Sequence, residues 1–91
     1  MAEARLALKQ HVIVERDGDD DVVLIDSRTG RMSACNETAS IVVTELERGC
    51  SVARLVEVVT SRFDVPDDVA TRDVNAMLDG LAAEGLLDAS E

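Results

Sequence analysis

The sequence predicts an α+β fold in which a three-stranded antiparallel β-meander is followed by three helices. Two observations predict it. In the first third of the chain, apolar residues alternate with polar ones, which is typical of half-buried strands. From residue 36 onward, apolar residues recur at helical spacing, and glycine and proline divide this part into three segments. Because strands and helices are segregated along the chain, we expect a small sheet beside a cluster of helices.

The predicted strands span about residues 5–15, 21–26 and 30–35. Apolar residues take every second position in much of the first strand, from Leu6 to Val14, so we expect one face of it to be buried. The stretches ERDGDDD and SRTG provide the two turns, and Gly30 can adopt the positive φ that such turns need. Short connections make neighbouring strands antiparallel, which predicts a meander.

The predicted helices span about residues 36–48, 51–63 and 66–85. Asn36 and Ser51 are good N-cap residues, because their side-chain oxygens accept a hydrogen bond from an otherwise unpaired backbone N–H. Pro66 suits the first turn of the third helix, where its missing N–H costs nothing. Gly49 and Gly85 are expected to end the first and third helices.

The composition predicts one small cytoplasmic domain spanning residues 1–91. Nineteen acidic residues against nine Lys and Arg give a formal charge of −10, which disfavours nucleic acid and anionic membranes as partners. No apolar stretch is long enough to span a membrane, and the first residues lack a signal-peptide core. The two cysteines, Cys35 and Cys50, are expected to be free thiols in a reducing compartment.

No catalytic residue, metal site or cofactor is predicted. The run from Asp17 to Asp21 resembles the start of a calcium-binding loop, but the positions that need glycine and glutamate hold Val22 and Arg28. A cysteine nucleophile needs a positioned base, and the single histidine, His11, falls in a predicted strand. We therefore expect a protein that is not an enzyme.

Three helices beside a β-hairpin resemble a winged helix-turn-helix, so DNA binding has to be considered. The third helix, which would enter the major groove, carries five acidic residues and one basic residue: Asp67, Asp68, Asp73, Asp79, Glu84 and Arg72. Such a helix repels a duplex and offers no cluster of side chains to read bases. A winged-helix-type transcriptional regulator is therefore only an alternative function, together with a small dimeric structural subunit.

The edge of the third predicted strand is a candidate binding site. An edge strand has unpaired backbone groups, which can bind an extended peptide by strand addition. Asp73, Met77 and Gly80 of the third helix would flank that edge. The edge and the helix would form a cleft, which is faced either by Met32 and Ala34 or by Arg31, Ser33 and Cys35. The choice depends on the register of the strand, since a one-residue change exchanges its two faces. The alternative is that the chain's own terminus or a second copy covers the edge, so both a monomer and a weak homodimer stay open.

One long segment of the chain reads VVLIDSRTGRMSACNETASIVVTELERGCSVARLVEVVTSRFDV, and the short stretches DV, ML, L and GLL follow it at intervals. This pattern resembles the PqqD-like family across nearly the whole chain. The matching features are LID and TG in the hairpin, NETA at the first helix, GCS between helices and FDV before the third helix. The resemblance implies three strands and three helices that form a recognition element for ribosomally synthesised, post-translationally modified peptides. It also implies that the leader segment of a precursor binds as an added strand between the third strand and the third helix.

Our leading hypothesis is a non-catalytic adaptor that binds a precursor (leader) peptide and presents it to a peptide-modifying enzyme or leader protease. The pathway could produce lasso peptides, use a radical SAM enzyme or be another of this class. We expect the peptide-binding residues to be Gly30, Arg31, Met32, Ser33, Ala34, Cys35, Asp73, Met77 and Gly80.

Overall fold

The computed structural model describes residues 4–18 and 21–90. In chain order the elements are β1 (Arg5–Leu8), β2 (Val12–Asp17), β3 (Asp21–Asp26), β4 (Arg31–Cys35), α1 (Glu37–Arg48), α2 (Val52–Phe63), α3 (Asp67–Ala83) and β5 (Leu87–Ser90). The antiparallel sheet β2–β3–β4, followed by three helices, confirms the predicted fold class.

The β3–β4 hairpin fixes the position of the edge strand. Asp26 pairs with Val12 on one side and with Arg31 on the other. The carbonyl of Asp26 accepts hydrogen bonds from the N–H groups of Gly30 at 2.7 Å and Thr29 at 3.2 Å, which closes the turn. Gly30 has φ 78°, the positive value predicted for this turn. The last residue of β3 is therefore held firmly beside the first residue of β4.

The prediction of a single strand over residues 5–15 is wrong, because the chain turns between Leu8 and Val12. The N–H of Val12 donates to the carbonyl of Lys9 at 3.1 Å, and the N–H of Lys9 donates to the carbonyl of Leu86 at 2.9 Å. β1 leaves the meander to pair antiparallel with β5, a strand that the sequence did not predict. Apolar residues occupy even-numbered positions both before the turn and after it, so the periodicity of the sequence alone could not reveal the turn.

Side chains cap the first two helices as predicted. Oδ1 of Asn36 accepts from the N–H of Ala39 at 2.8 Å, and Oγ of Ser51 accepts from that of Arg54 at 3.1 Å. Each bond satisfies one of the backbone donors that a helix start leaves unpaired. Since Asn36 follows β4 directly, α1 begins where the edge strand ends.

Most of the core lies among the three helices and β1, and a smaller part lies between α1 and the sheet β2–β3–β4. Its main cluster contains Leu6, Val42, Leu46, Cys50, Leu55, Val59, Ala70, Val74 and Leu78, and a smaller one contains Val22, Leu24 and Val43. Leu46 and Leu55 are completely buried. Because Val43 packs against the buried residues of β3, α1 joins the sheet to the helical cluster.

Candidate functional site

The outer edge of β4 has backbone groups available for pairing. The N–H of Gly30 donates to the carbonyl of Asp26, so Asp26 turns its backbone polar groups toward β4 and its partner Arg31. Alternate residues of a strand turn these groups to opposite sides. Met32 and Ala34 therefore turn their N–H and C=O groups away from β3. Among the described residues no strand pairs with β4 on that side.

The register of the hairpin settles which face of β4 points toward the helices. Ser33 lies opposite Leu24, and Cys35 lies opposite Val22. Both partners are buried, so Ser33 and Cys35 share the inner face and are themselves half-buried. Met32 is on the opposite face and is 64% exposed. The side chains of the odd-numbered residues of β4 therefore point toward the helices, and that of Met32 points away. Ala34 is on the same face as Met32 but also lines the apolar section described next.

A cleft runs between β4 and α3, and its part near Cys35 is apolar. This apolar section has a volume of about 280 Å³. It is lined by Leu24, Ala34, Cys35, Ala39, Val42, Val43, Met77, Gly80, Leu81 and Glu84. Gly80 contributes to the volume, because a Cβ placed there would meet no other atom within 4 Å. The section is therefore a place where apolar side chains of a guest could be buried.

The part of the cleft near the β3–β4 turn is larger, and we call it the polar section because four charged side chains line it. This polar section has a volume of about 630 Å³. It is lined by Leu24, Asp26, Arg28, Thr29, Gly30, Arg31, Ser33, Ala83, Glu84 and Leu86. Leu24 and Glu84 line both sections, so the two adjoin. β4 runs from the polar section to the apolar one, whereas α3 runs in the opposite direction.

Hydrogen bonds tie the β3–β4 turn to the end of α3. Arg28 donates from Nε to Oδ1 of Asp26 at 3.1 Å and from Nη2 to Oδ2 at 3.0 Å. Its Nη2 also reaches the carbonyl of Glu84 at 3.3 Å, and Nε2 of His11 lies 3.0 Å from the carbonyl of Gly85. The hydrogen bonds from Arg28 hold the pKa of Asp26 below its usual range. These contacts therefore connect the two walls of the cleft at its polar end.

A family model described as coenzyme PQQ synthesis protein D (PqqD) matches residues 21–87. This chain belongs to the PqqD family. The match covers the edge strand, the three helices and both sections of the cleft, so every residue of the candidate site lies within it.

Two solved structures share the PqqD-family fold of this chain. One is described as "Lasso peptide synthetase B1 complexed with the leader peptide"; it has 30% identity and a TM-score of 0.80 and covers 91% of this chain and 96% of the other. The second is described as "TbiB1 in Complex with the TbiA(beta) Leader Peptide"; it has 26% identity and a TM-score of 0.84 and covers 90% and 94%. No protein with a curated description matches significantly.

The structure brings together most of the residues predicted for the site. Gly30, Arg31 and Ser33 line the polar section of the cleft, and Ala34, Cys35, Met77 and Gly80 line the apolar section. Met32 lies on the outer face of the sheet, although its backbone belongs to the free edge. Asp73 is exposed and lies one helical turn before Met77, outside both sections. Seven of the nine predicted residues therefore line the cleft itself.

Several residues of the cleft wall were not predicted from the sequence. Glu84 follows Gly80 by four positions and Met77 by seven, so the helical spacing already placed all three on one face. Leu24 was recognisable as a buried strand residue, but its place at the floor of the cleft depends on the register of the hairpin. The contribution of Arg28 depends on a contact with the distant end of α3, for which the sequence carries no local signal.

The titratable groups of the cleft do not resemble a nucleophile with its base. Burial raises the pKa of the Cys35 thiol, which keeps it protonated at neutral pH. Burial also raises the pKa of Cys50. In residues 4–18 and 21–90, no group of three or more side chains could hold a metal ion, and no helix could cross a membrane. The acidic turn considered as a calcium loop includes Asp19 and Asp20, which lie outside the described residues.

Proposed function

We propose that this chain is a non-catalytic adaptor that binds the leader segment of a ribosomally synthesised precursor peptide as an added strand on β4. The free backbone groups of Met32 and Ala34 would pair with the guest, and the cleft would hold the guest side chains that point toward α3. Main-chain pairing supplies affinity in this binding mode, and pockets for alternate side chains supply selectivity.

The open edge of β4 beside an apolar cleft is the observation that carries the proposal. An exposed edge alone is usually a risk of aggregation, which proteins reduce with charge, bulges or a covering element. Here the edge lies beside a cleft with an apolar section, and the absence of a side chain at Gly80 leaves space in that section. A strand on this edge would extend the sheet β2–β3–β4 and cover the apolar section.

Similarity to known proteins also supports leader-peptide binding. Both similar structures were solved with leader peptides. Their structural matches, with TM-scores of 0.80 and 0.84, cover at least 90% of this chain. Belonging to the PqqD family adds support from a sequence comparison.

The adaptor is proposed to act without catalysis. Cys35 is the thiol nearest to a bound guest, and burial raises its pKa, so it is a weak nucleophile at neutral pH. The only histidine, His11, lies 3.0 Å from the carbonyl of Gly85 and lines neither section of the cleft. The chemical step would belong to a separate modifying enzyme or leader protease, in a lasso-peptide pathway or a related one, to which this protein presents the precursor.

The direct test is a titration with the leader segment of a precursor peptide encoded beside the gene, followed by amide chemical shifts. We expect the largest shifts at Met32 and Ala34, because their N–H groups turn toward the guest. Shifts confined to other parts of the surface, or none at saturating leader, would contradict the proposal.

A proline at the edge tests the backbone pairing separately from the side chains. Ala34→Pro removes an N–H that β3 does not use, so the hairpin should survive while the guest loses one hydrogen bond. A net hydrogen bond contributes about 0.5–1.5 kcal/mol, so we expect a loss of affinity of roughly twofold to tenfold. Ala34→Ser keeps the N–H and is the matched control, and equal affinity of the two variants would argue against strand addition.

A further inference from the structure

The two sections of the cleft differ in chemistry, which gives the bound peptide a direction. Cys35 and Arg31 lie on the same face of β4, four residues apart, with Cys35 at the apolar section and Arg31 at the polar one. A guest strand antiparallel to β4 places one residue opposite Cys35 and, four positions further toward its own C-terminus, another opposite Arg31. Both guest side chains then point into the cleft.

The apolar section has unfilled space at Gly80. A glycine inside a helix costs about 1 kcal/mol relative to alanine, and here a Cβ would meet no neighbour within 4 Å. The protein's own packing therefore does not require the glycine. The missing side chain leaves open the wall that faces Cys35 and Met77, where a large apolar side chain of a guest can be buried.

The polar section contains one cation without a partner among the described residues. Arg28 is already bound to Asp26, whereas Arg31 is exposed and forms no ion pair with the described carboxylates. Side chains directly opposite each other on neighbouring strands are about 5 Å apart at Cβ, so a guest residue opposite Arg31 lies beside it. Glu84 lines the other wall, just after the last residue of α3. The cross-strand neighbour of that guest residue is therefore a cation, despite the formal charge of −10 on the chain.

We propose that the cleft selects an extended peptide with a large apolar residue facing Gly80 and an acidic residue four positions further toward the C-terminus, beside Arg31. This inference rests on the proposed function and specifies which class of leader segment the adaptor takes. Antiparallel pairing is chosen because it continues the pattern of β2–β3–β4 and is slightly more stable per residue than parallel pairing.

Synthetic peptides of about ten residues, enough for one strand, test the selection. Each has a Thr- and Ser-rich background and a terminal Trp, whose fluorescence is unobscured because the protein has no Trp or Tyr. Four pairs occupy the two positions: Leu then Glu, Leu then Lys, Ala then Glu, and Glu then Leu. We expect the first to bind most tightly, about twofold to fivefold better than the lysine peptide and roughly tenfold or more better than the alanine peptide.

Variants of the protein assign each preference to its residue. Arg31→Glu should reverse the preference between the glutamate and lysine peptides. Arg72→Glu, which makes the same charge change on α3 outside the cleft, should leave that preference intact. Gly80→Leu should remove the difference between the leucine and alanine peptides. Ala82→Leu, on a helix position that does not line the cleft, is its control.

The outcomes separate this inference from the adaptor function. Binding at Met32 and Ala34 without a preference, with a preference for lysine, or with a preference for the Glu-then-Leu order would overturn the inference and leave the adaptor function standing. The same holds if a precursor leader shifts the edge amides while the Leu-then-Glu peptide does not. If neither the leader nor any peptide shifts those amides, both proposals fail.

Discussion

The guanidinium of Arg28 joins the β3–β4 turn to the carbonyl of Glu84 at the end of α3, with Nη2 and the oxygen 3.3 Å apart. The same Nη2 donates to the Asp26 carboxylate at 3.0 Å, so one side chain connects both walls of the cleft at its polar end. A hydrogen bond from a side chain that an ion pair holds in place therefore joins the turn before β4 to the end of α3.

The Asp26–Arg28 pair should make stability depend on pH in the acid range. Hydrogen bonds from Arg28 lower the pKa of Asp26 in the folded protein relative to the unfolded chain. The contribution is therefore complete above about pH 4, the ordinary range of an aspartate, and is lost as the pH falls through the lower folded-state value. The melting temperature of wild type should fall across that range, and Asp26→Asn should remove part of the fall. If the melting temperatures of wild type and Asp26→Asn fall equally as the pH is lowered, this account is contradicted.

Gly80→Ala should stabilise the protein and weaken its binding. Alanine is favoured over glycine inside a helix by about 1 kcal/mol, and the open space at Gly80 accepts a methyl group without a clash. We expect a higher free energy of unfolding in a denaturant titration and a lower affinity for a peptide with a large apolar residue. Ala82→Gly is the reverse change outside the cleft and should lower stability with affinity unchanged. If Gly80→Ala binds as tightly as wild type, the glycine is not part of the site.

Asn36→Ala should lower the free energy of unfolding by about 1 kcal/mol, because the N–H of Ala39 loses its acceptor. Ser51→Ala removes the corresponding cap from α2 and should have a similar effect on chemical denaturation. The two differ in position, since only Asn36 follows the edge strand directly. We therefore expect the first variant alone to reduce leader affinity, and equal reductions would show that global stability, not the edge, is responsible.

Alkylation of Cys35 should report occupation of the cleft. Burial raises its thiol pKa, so reaction with iodoacetamide should be slow at neutral pH and accelerate as the pH rises beyond the ordinary cysteine value of about 8.5. A bound leader should slow the reaction further, because Cys35 lines the apolar section. Cys50 is buried in the core and serves as an internal reference in peptide mapping. Protection of neither thiol at saturating leader would place the peptide elsewhere.

Local signals made the helices and the second and third predicted strands readable from the sequence. Asn36 and Ser51 are capping residues whose chemistry acts within three positions, and the alternation in β3 survives because one face is buried. The turn after Leu8 was not readable, because it is stabilised by a hydrogen bond from Lys9 to Leu86 at the other end of the chain. The cleft was predictable as an edge beside a helix. Its division into two sections was not, since that depends on strand register and on the reach of Arg28.

Both ends of the edge strand are held in place: Gly30 is bonded to Asp26 just before β4, and Asn36 caps α1 just after it. The receiving backbone is thus already ordered before any guest arrives, and the loss of conformational freedom on association falls on the incoming chain. Cyclising a leader into an extended shape should consequently tighten association. Additional cross-links within the host hairpin should leave it unchanged.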